Sequence, residues 1–204
     1  MRFRLCGRCW SFIVCSPGVS PPAAADVPID DMKLRVLLVS MCCGIGGAAA
    51  AFGSRAIAQA HIVESCDALR TLSQARLHCS AERFAEEVDI PAFVARIKSA
   101  TWGVLFLVGG PSCQPFSQLG SKKEGLEDPR SHPSGSFIRF RDALKADIPL
   151  SYGRTFVWLL EEVASVSAAC REELSGKLGG RPVNLNAADW GWVHRPRFYL
   201  GPKG

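Results

Sequence analysis

Apolar residues along this chain fall into short runs separated by stretches with helical periodicity. "LRVLLVS" (34–40) and "GVLFLV" (103–108) are nearly unbroken apolar runs of strand length. Such runs are what strands covered on both faces look like. "HIVES" (61–65) reads as a shorter strand, "EEVDI" (86–90) as the end of another, and "RTFVWLLEEV" (154–163) carries a fifth. Between them the spacing predicts helices. One runs from the glycines after residue 42 to about Ala60, followed by 66–78, 91–100 with Pro91 at its start, 135–146 and 165–178. "PVNLNAA" and "RPRFYLG" end the chain as a strand pair. Strands alternating with helices predict an α/β fold with a Rossmann-like, doubly wound, mostly parallel sheet.

Composition narrows this picture. The 204 residues, 48% hydrophobic and 21% charged, are enough for one packed domain. Residues 1–32 stand apart: a basic start, a short apolar stretch and a Pro/Ala-rich linker, read as a disordered or targeting segment. The folded domain is expected over 33–204. Residues 1–32 hold three arginines and three aspartates, so the whole net charge of +5 lies in the domain. That balance permits a nucleic-acid partner without requiring one. No apolar run approaches the roughly 20 residues of a membrane span, so no membrane partner is expected. The nine cysteines are odd in number and irregularly spaced, which suits reduced thiols better than a disulfide framework. Cys6 and Cys9 form a lone CxxC, weak as a zinc site, and no metal is expected.

In a doubly wound sheet, ligands bind beyond the carboxyl ends of the strands. Candidate residues gather there. Gly44, Ile45, Gly46 and Gly47 form a turn between a strand and a helix. Glycines let the backbone approach a ligand, and a helix start offers free N–H groups. Glu64 ends the next strand about twenty residues on, where an acid can take both ribose hydroxyls. Singly, the turn is equally a plain tight turn and Glu64 equally a solvated acid; together they suggest an adenosine-bearing cofactor. The P-loop lysine is missing, which argues against a nucleoside triphosphate.

Cys113 follows "VGGP" at the mouth of an apolar strand, at the base of a long polar loop. A cysteine there is either a small buried apolar residue or a thiol placed to meet a substrate. Asp89 and Glu161 also fall at predicted strand ends, and a partly buried carboxyl such as Glu161 can donate a proton. Arg195 and Arg197, alternating on a predicted strand, point to one face and could hold a carbonyl oxygen or a phosphate. Taken singly, each arginine also suits solvent.

At this point the residues resemble the cytosine-5 DNA methyltransferase family. "CCGIGG", "VESCD", "VDI", "GGPSCQPFS", "DPR", "LLEEV" and "NAADWGWVHRPRFYLG" occur in the family's order over roughly 34–201. "VESCD" and the last of these look most like the eukaryotic de novo type. The resemblance implies the S-adenosylmethionine-dependent methyltransferase fold, with S-adenosyl-L-methionine as cofactor and DNA as partner. It implies that Cys113 adds to carbon 6 of a flipped-out cytosine, that Glu161 engages ring nitrogen 3, and that Arg197, with Arg195, holds the carbonyl oxygen. The cofactor would lie against Cys42, Gly44, Ile45, Gly46 and Gly47, with Glu64 and Ser65 at its ribose. Asp89 and Ile90 would lie near its adenine, and Gly110 and Pro111 would complete the pocket. Gln114, Ser117 and Arg130 would belong to the loop that closes over the base.

The sequence departs from the family pattern in several places. Pro-Pro-Cys is Pro111-Ser112-Cys113, Glu-Asn-Val is Glu161-Glu162-Val163, and the phenylalanine expected near the adenine is Cys42. A second carboxylate at Glu162 would oppose ionisation of the thiol if it pointed inward. The family's target-recognition region and final strand are expected to be absent after Gly204, leaving the fold incomplete at its C-terminus, with a partner chain as one way to complete the site. Two other readings stay open: a tRNA cytosine-5 methyltransferase, with RNA as partner, and a non-catalytic methyltransferase-like protein. The nucleus is the expected location for a DNA substrate, an organelle if residues 1–32 are a transit peptide.

Overall fold

A computed structural model describes residues 35–42, 48, 57–76, 80–84, 89–111, 126, 132–148, 154–189 and 196–202. The first strand, β1 (Val36–Met41), is buried along its whole length. It pairs in parallel with β2 (Ile57–Val63) on one side and β4 (Val104–Gly109) on the other. β3 (Ser80–Phe84) extends the sheet beyond β2, and β5 (Thr155–Val163) extends it beyond β4, both in parallel. β7 (Pro196–Leu200) then runs antiparallel to β5, and β6 (Pro182–Asn186) antiparallel to β7. The resulting order is β3-β2-β1-β4-β5-β7-β6. The expected doubly wound, mostly parallel sheet is present, and the final strand pair is its antiparallel edge.

The helices are α1 (Asp67–Arg76), α2 (Ile90–Ser99), α3 (His132–Asp147) and α4 (Ala168–Leu178). One face of the sheet presents Leu37, Val39, Leu105, Leu107, Leu160 and Phe198 to Phe93 and Ile97 of α2, Phe137 and Phe140 of α3, and Leu174 of α4. The other face carries Leu38, Ile57 and Ala60, with Phe106, Val108 and Ala48 packed on them. Alternate residues of one strand are therefore buried on opposite sides, which is why β1 reads as continuous apolar sequence.

Local signals set the helix ends. Asp89 caps α2, its side chain accepting from the Ala92 N–H at 3.3 Å, with Pro91 in the first turn where no N–H is needed. Ser167 caps α4, and Gly179 ends it in the left-handed conformation at φ 68°. The buried Arg141 of α3 donates to the Leu178 and Lys177 carbonyls at 2.9 and 2.7 Å, so α3 satisfies the end of α4.

Two expectations need correction. The helix expected to reach Ala60 does not: Ile57–Ala60 belongs to β2. Alanine-rich sequence favours helix, but pairing along β1 overrides that local preference. The strand expected to end at 86–90 lies earlier, at Ser80–Phe84, and Ile90 opens α2. Asp-Ile-Pro is a helix start here, and its aspartate is a cap rather than a strand-end acid. Residues 1–32, and the helix expected right after residue 47 apart from Ala48, lie outside the described residues.

Gly109 ends β4 against Phe137 of α3: a Cβ there would lie 2.6 Å from the Phe137 ring. Gly109→Ala is expected to destabilise the fold by about 1–3 kcal/mol. Gly176, exposed in α4, has nothing within 4 Å of a Cβ, so Gly176→Ala is expected to stabilise by about 0.5–1 kcal/mol. Chemical denaturation of both variants checks the opposite signs.

Candidate active site

β2 and β3 lie to one side of β1 while β4 and β5 lie to the other, so the chain reverses direction between β1 and β4. The carboxyl ends of these two strands border the crevice where such sheets bind ligands. The Gly110 N–H donates to the Met41 carbonyl at 3.3 Å across it, and the Cys42 N–H donates to the Val63 carbonyl at 2.8 Å. Cys42 has φ 51°, the one described non-glycine residue with positive φ. That conformation costs roughly 1 kcal/mol for such a residue, and it turns the chain sharply off β1 at the crevice.

Glu64 sits directly after β2 and is buried. Its Oε1 accepts from the Cys66 N–H at 3.2 Å and the Ser65 hydroxyl at 3.3 Å. Arg70 of α1 donates to the Glu64 and Ser65 carbonyls and bridges to Asp67 at 3.1 Å. The β2–α1 turn is thus tied down from both ends, and the carboxylate is held in place. Arg70 was not among the sequence candidates. Its only signal was its position one turn after Asp67, which is common on any helix.

The second cluster lies on β5 and β7. Their antiparallel register sets Glu161 opposite Tyr199 and Glu162 opposite Phe198. Arg197 is two residues from Tyr199, so it shares the face of Glu161. Its Nε lies 2.9 Å from Glu161 Oε1, with side-chain exposures of 16% and 5%. This is an ion pair between two strands, buried on the Glu161 side and half-buried on the Arg197 side. Glu162 alternates to the other face of β5 and is 1% exposed. It does not point to the side of Glu161; its bearing on the Cys113 thiol lies outside the described residues. Burial first, and the Glu161 carboxylate second, push the Glu162 carboxyl well above the usual carboxylate range.

The structure brings Cys42, Glu64, Ser65, Gly110, Pro111, Glu161 and Arg197 to the carboxyl side of one sheet. Asp89 and Ile90 begin α2, where Asp89 caps the helix. Ser65 is exposed and Pro111 buried. Gly44, Ile45, Gly46, Gly47, Cys113, Gln114, Ser117, Arg130 and Arg195 lie outside the described residues. Among the described residues no group of three or more His, Cys, Asp or Glu side chains could hold a metal, and no helix is long and apolar enough to cross a membrane.

The order of this sheet and the acid fixed after β2 define the class: a Rossmann-like methyltransferase fold. Within that class the family follows from the sequence. The model of the C-5 cytosine-specific DNA methylase family matches residues 36–149, more than half of the chain, and the chain belongs to that family. Among solved structures, it is similar to a SAM-dependent methyltransferase of Leishmania major, at 12% identity and a TM-score of 0.45, over 82% of this chain. The chain spans 65% of that protein's length. The cofactor of the family is S-adenosyl-L-methionine. The described residues fit it: a buried carboxylate locked by its own turn after β2 is an acceptor suited to a ribose diol.

Two measurements check the electrostatics. Arg197→Met leaves Glu161 buried without this guanidinium and is expected to cost about 3–5 kcal/mol. Adding Glu161→Gln should return part of that loss in the same denaturation experiment. For Glu162 the folded value lies above the unfolded one, so the folded state holds the extra proton. Stability should therefore fall as pH rises from the ordinary carboxylate value toward the raised folded value. Glu162→Gln should flatten that slope above the ordinary carboxylate range, read as melting temperature against pH.

Proposed function

We propose that this chain is a DNA cytosine-5 methyltransferase domain, acting through a covalent cysteine adduct. One observation carries the reading: strand register brings the segment leading to Cys113, Glu161 and Arg197 to one rim. β4 pairs Gly109 with Leu160, which sets Glu161 level with Gly110, three residues before Cys113. β7 then sets Arg197 beside Glu161.

In this reading the Cys113 thiolate adds to carbon 6 of a cytosine turned out of the duplex. Glu161 hydrogen-bonds or protonates ring nitrogen 3, so the electron pair displaced by the thiolate is stabilised on the ring. Arg197, with Arg195, holds the carbonyl oxygen at carbon 2. Burial of Glu161 makes its contact stronger than it would be in water. Carbon 5 becomes nucleophilic. Glu64, Ser65, Cys42, Gly44, Ile45, Gly46 and Gly47 would hold S-adenosyl-L-methionine, which would supply an electrophilic methyl group to carbon 5 and leave as the neutral thioether. Loss of the carbon-5 proton to a base then expels Cys113 as thiolate. Gln114, Ser117 and Arg130 are the residues this reading assigns to contacts with the base. With DNA as substrate the nucleus is the compartment.

Covalent trapping tests this. DNA containing 5-fluorocytosine cannot lose a proton from carbon 5, so the cysteine stays attached. A denaturant-stable adduct that requires S-adenosyl-L-methionine and vanishes in Cys113→Ala is the expected outcome. An adduct formed with tRNA alone would move the substrate to RNA, and a folded protein forming neither would favour a non-catalytic role.

A further inference from the structure

The pairing of β2 with both its neighbours ends at Val63, opposite Met41 of β1 and Phe84 of β3. Glu64, Ser65 and Cys66 then lead into α1, which starts at Asp67. The ladders have ended, so the carbonyls of this turn must be satisfied in another way. One side chain reaches two of them. Arg70 Nη1 donates to the Glu64 carbonyl and, at 3.0 Å, to the Ser65 carbonyl, while Nη2 donates to Asp67 Oδ1 at 3.1 Å. The Arg70 side chain is 17% exposed, so these bonds are largely shielded from water.

The Ser65 carbonyl and the Cys66 N–H belong to one peptide unit. That unit is planar and trans, so its C=O and its N–H point in opposite directions. Arg70 holds the carbonyl end. The N–H end donates to Glu64 Oε1 at 3.2 Å, and the Ser65 hydroxyl closes on the same oxygen at 3.3 Å. Fixing one end of the plane therefore fixes the donor that orients the carboxylate. The bond to the Glu64 carbonyl keeps the preceding peptide from turning as well. Without the guanidinium, rotation of these peptides would carry the Cys66 N–H away from the carboxylate. A lysine ammonium is a point donor and lacks the fork that serves carbonyls and a carboxylate together.

We propose that Arg70 is a positioning residue for the ribose of the cofactor: by locking the Ser65–Cys66 peptide it holds the Glu64 carboxylate in the orientation that accepts from the two hydroxyls. The inference rests on the reading of Glu64 as the ribose acceptor, while the link from Arg70 to the peptide stands independently of it.

Two readouts separate these. The first needs no ligand: amide hydrogen exchange by NMR in the wild type and Arg70→Met. Exchange at Cys66 should quicken about tenfold in the variant. Exchange at Cys42, whose amide donates to the Val63 carbonyl one residue before the turn, should stay as it was. The second is a ratio of affinities, by titration calorimetry, for S-adenosyl-L-methionine and for an analogue lacking both ribose hydroxyls. The wild type should prefer the diol about tenfold or more. That preference should fall about fivefold in Arg70→Met, the scale of one lost hydrogen bond, although the carboxylate is still present. General loosening of the fold would weaken both ligands alike and leave the ratio unchanged. Arg70→Lys, which keeps the charge and a donor, should restore part of the ratio, and it serves if Arg70→Met does not fold. Unchanged exchange at Cys66, or a diol preference kept in Arg70→Met and lost in Glu64→Ala, overturns the proposal. For Arg70→Lys alone, a ratio equal to the wild type overturns it. No diol preference in the wild type, with quickened exchange at Cys66 in the variant, overturns the ribose reading of Glu64 and supports the link to the peptide.

Discussion

The central place of β1 is the constraint from which the rest of the molecule follows. It pairs with β2 and with β4, and every residue of it is buried. A strand covered on both faces and hydrogen-bonded on both edges can carry only apolar or small side chains along its length. What polar function it supports must therefore sit at its end. There the chain leaves through Cys42 in a left-handed conformation. The Gly110 amide ties the end of β4 to Met41 at the same level. The crevice is a consequence of winding order, and the residues that border it are those that can no longer be part of the sheet.

The charges at the rim are placed by the same logic. Glu64 is the first polar residue after β2, and its turn satisfies part of its carboxylate. Glu161 is still inside β5, so desolvation would oppose its charge without a cation nearby. The antiparallel β7 brings that cation diagonally across the ladder. The reversed direction of β7, between β5 and β6, thus delivers an arginine to this acid. A fixed ion pair in a dry site is an arrangement suited to polarising a heteroaromatic ring. Glu162, one residue on, is buried on the reverse face of the same strand.

Much of this was legible in the sequence, for a physical reason. β1 is buried on both faces, β4 and β5 are buried or half-buried along nearly all their length, and their apolar runs stand out against the helical periods between them. The carboxyl ends of those strands located the rim, and Glu64, Glu161 and Arg197 with it. The start of β2 was obscured because "IAQA" carries helix-forming alanines and pairs only because β1 offers an edge. β3 was obscured because "SAERF" has little apolar content, while the "VDI" after it mimics a strand end and is a capped helix start. Nor could periodicity tell that both Glu161 and Glu162 are buried: alternation implies that one of two neighbours faces solvent, and this sheet is covered on both sides. Arg70, which pins the β2–α1 turn, left only a common helical spacing.

The central claim is that the rim between β1 and β4, with the acid after β2, is the site of S-adenosyl-L-methionine. Titration calorimetry of the cofactor against the wild-type chain and Glu64→Ala tests it most directly, with circular dichroism to confirm that both are folded. The account predicts saturable binding to the wild type and a loss of about tenfold or more in affinity for the variant, the scale of a hydrogen bond to a charged group. Equal affinity in two folded proteins would contradict it.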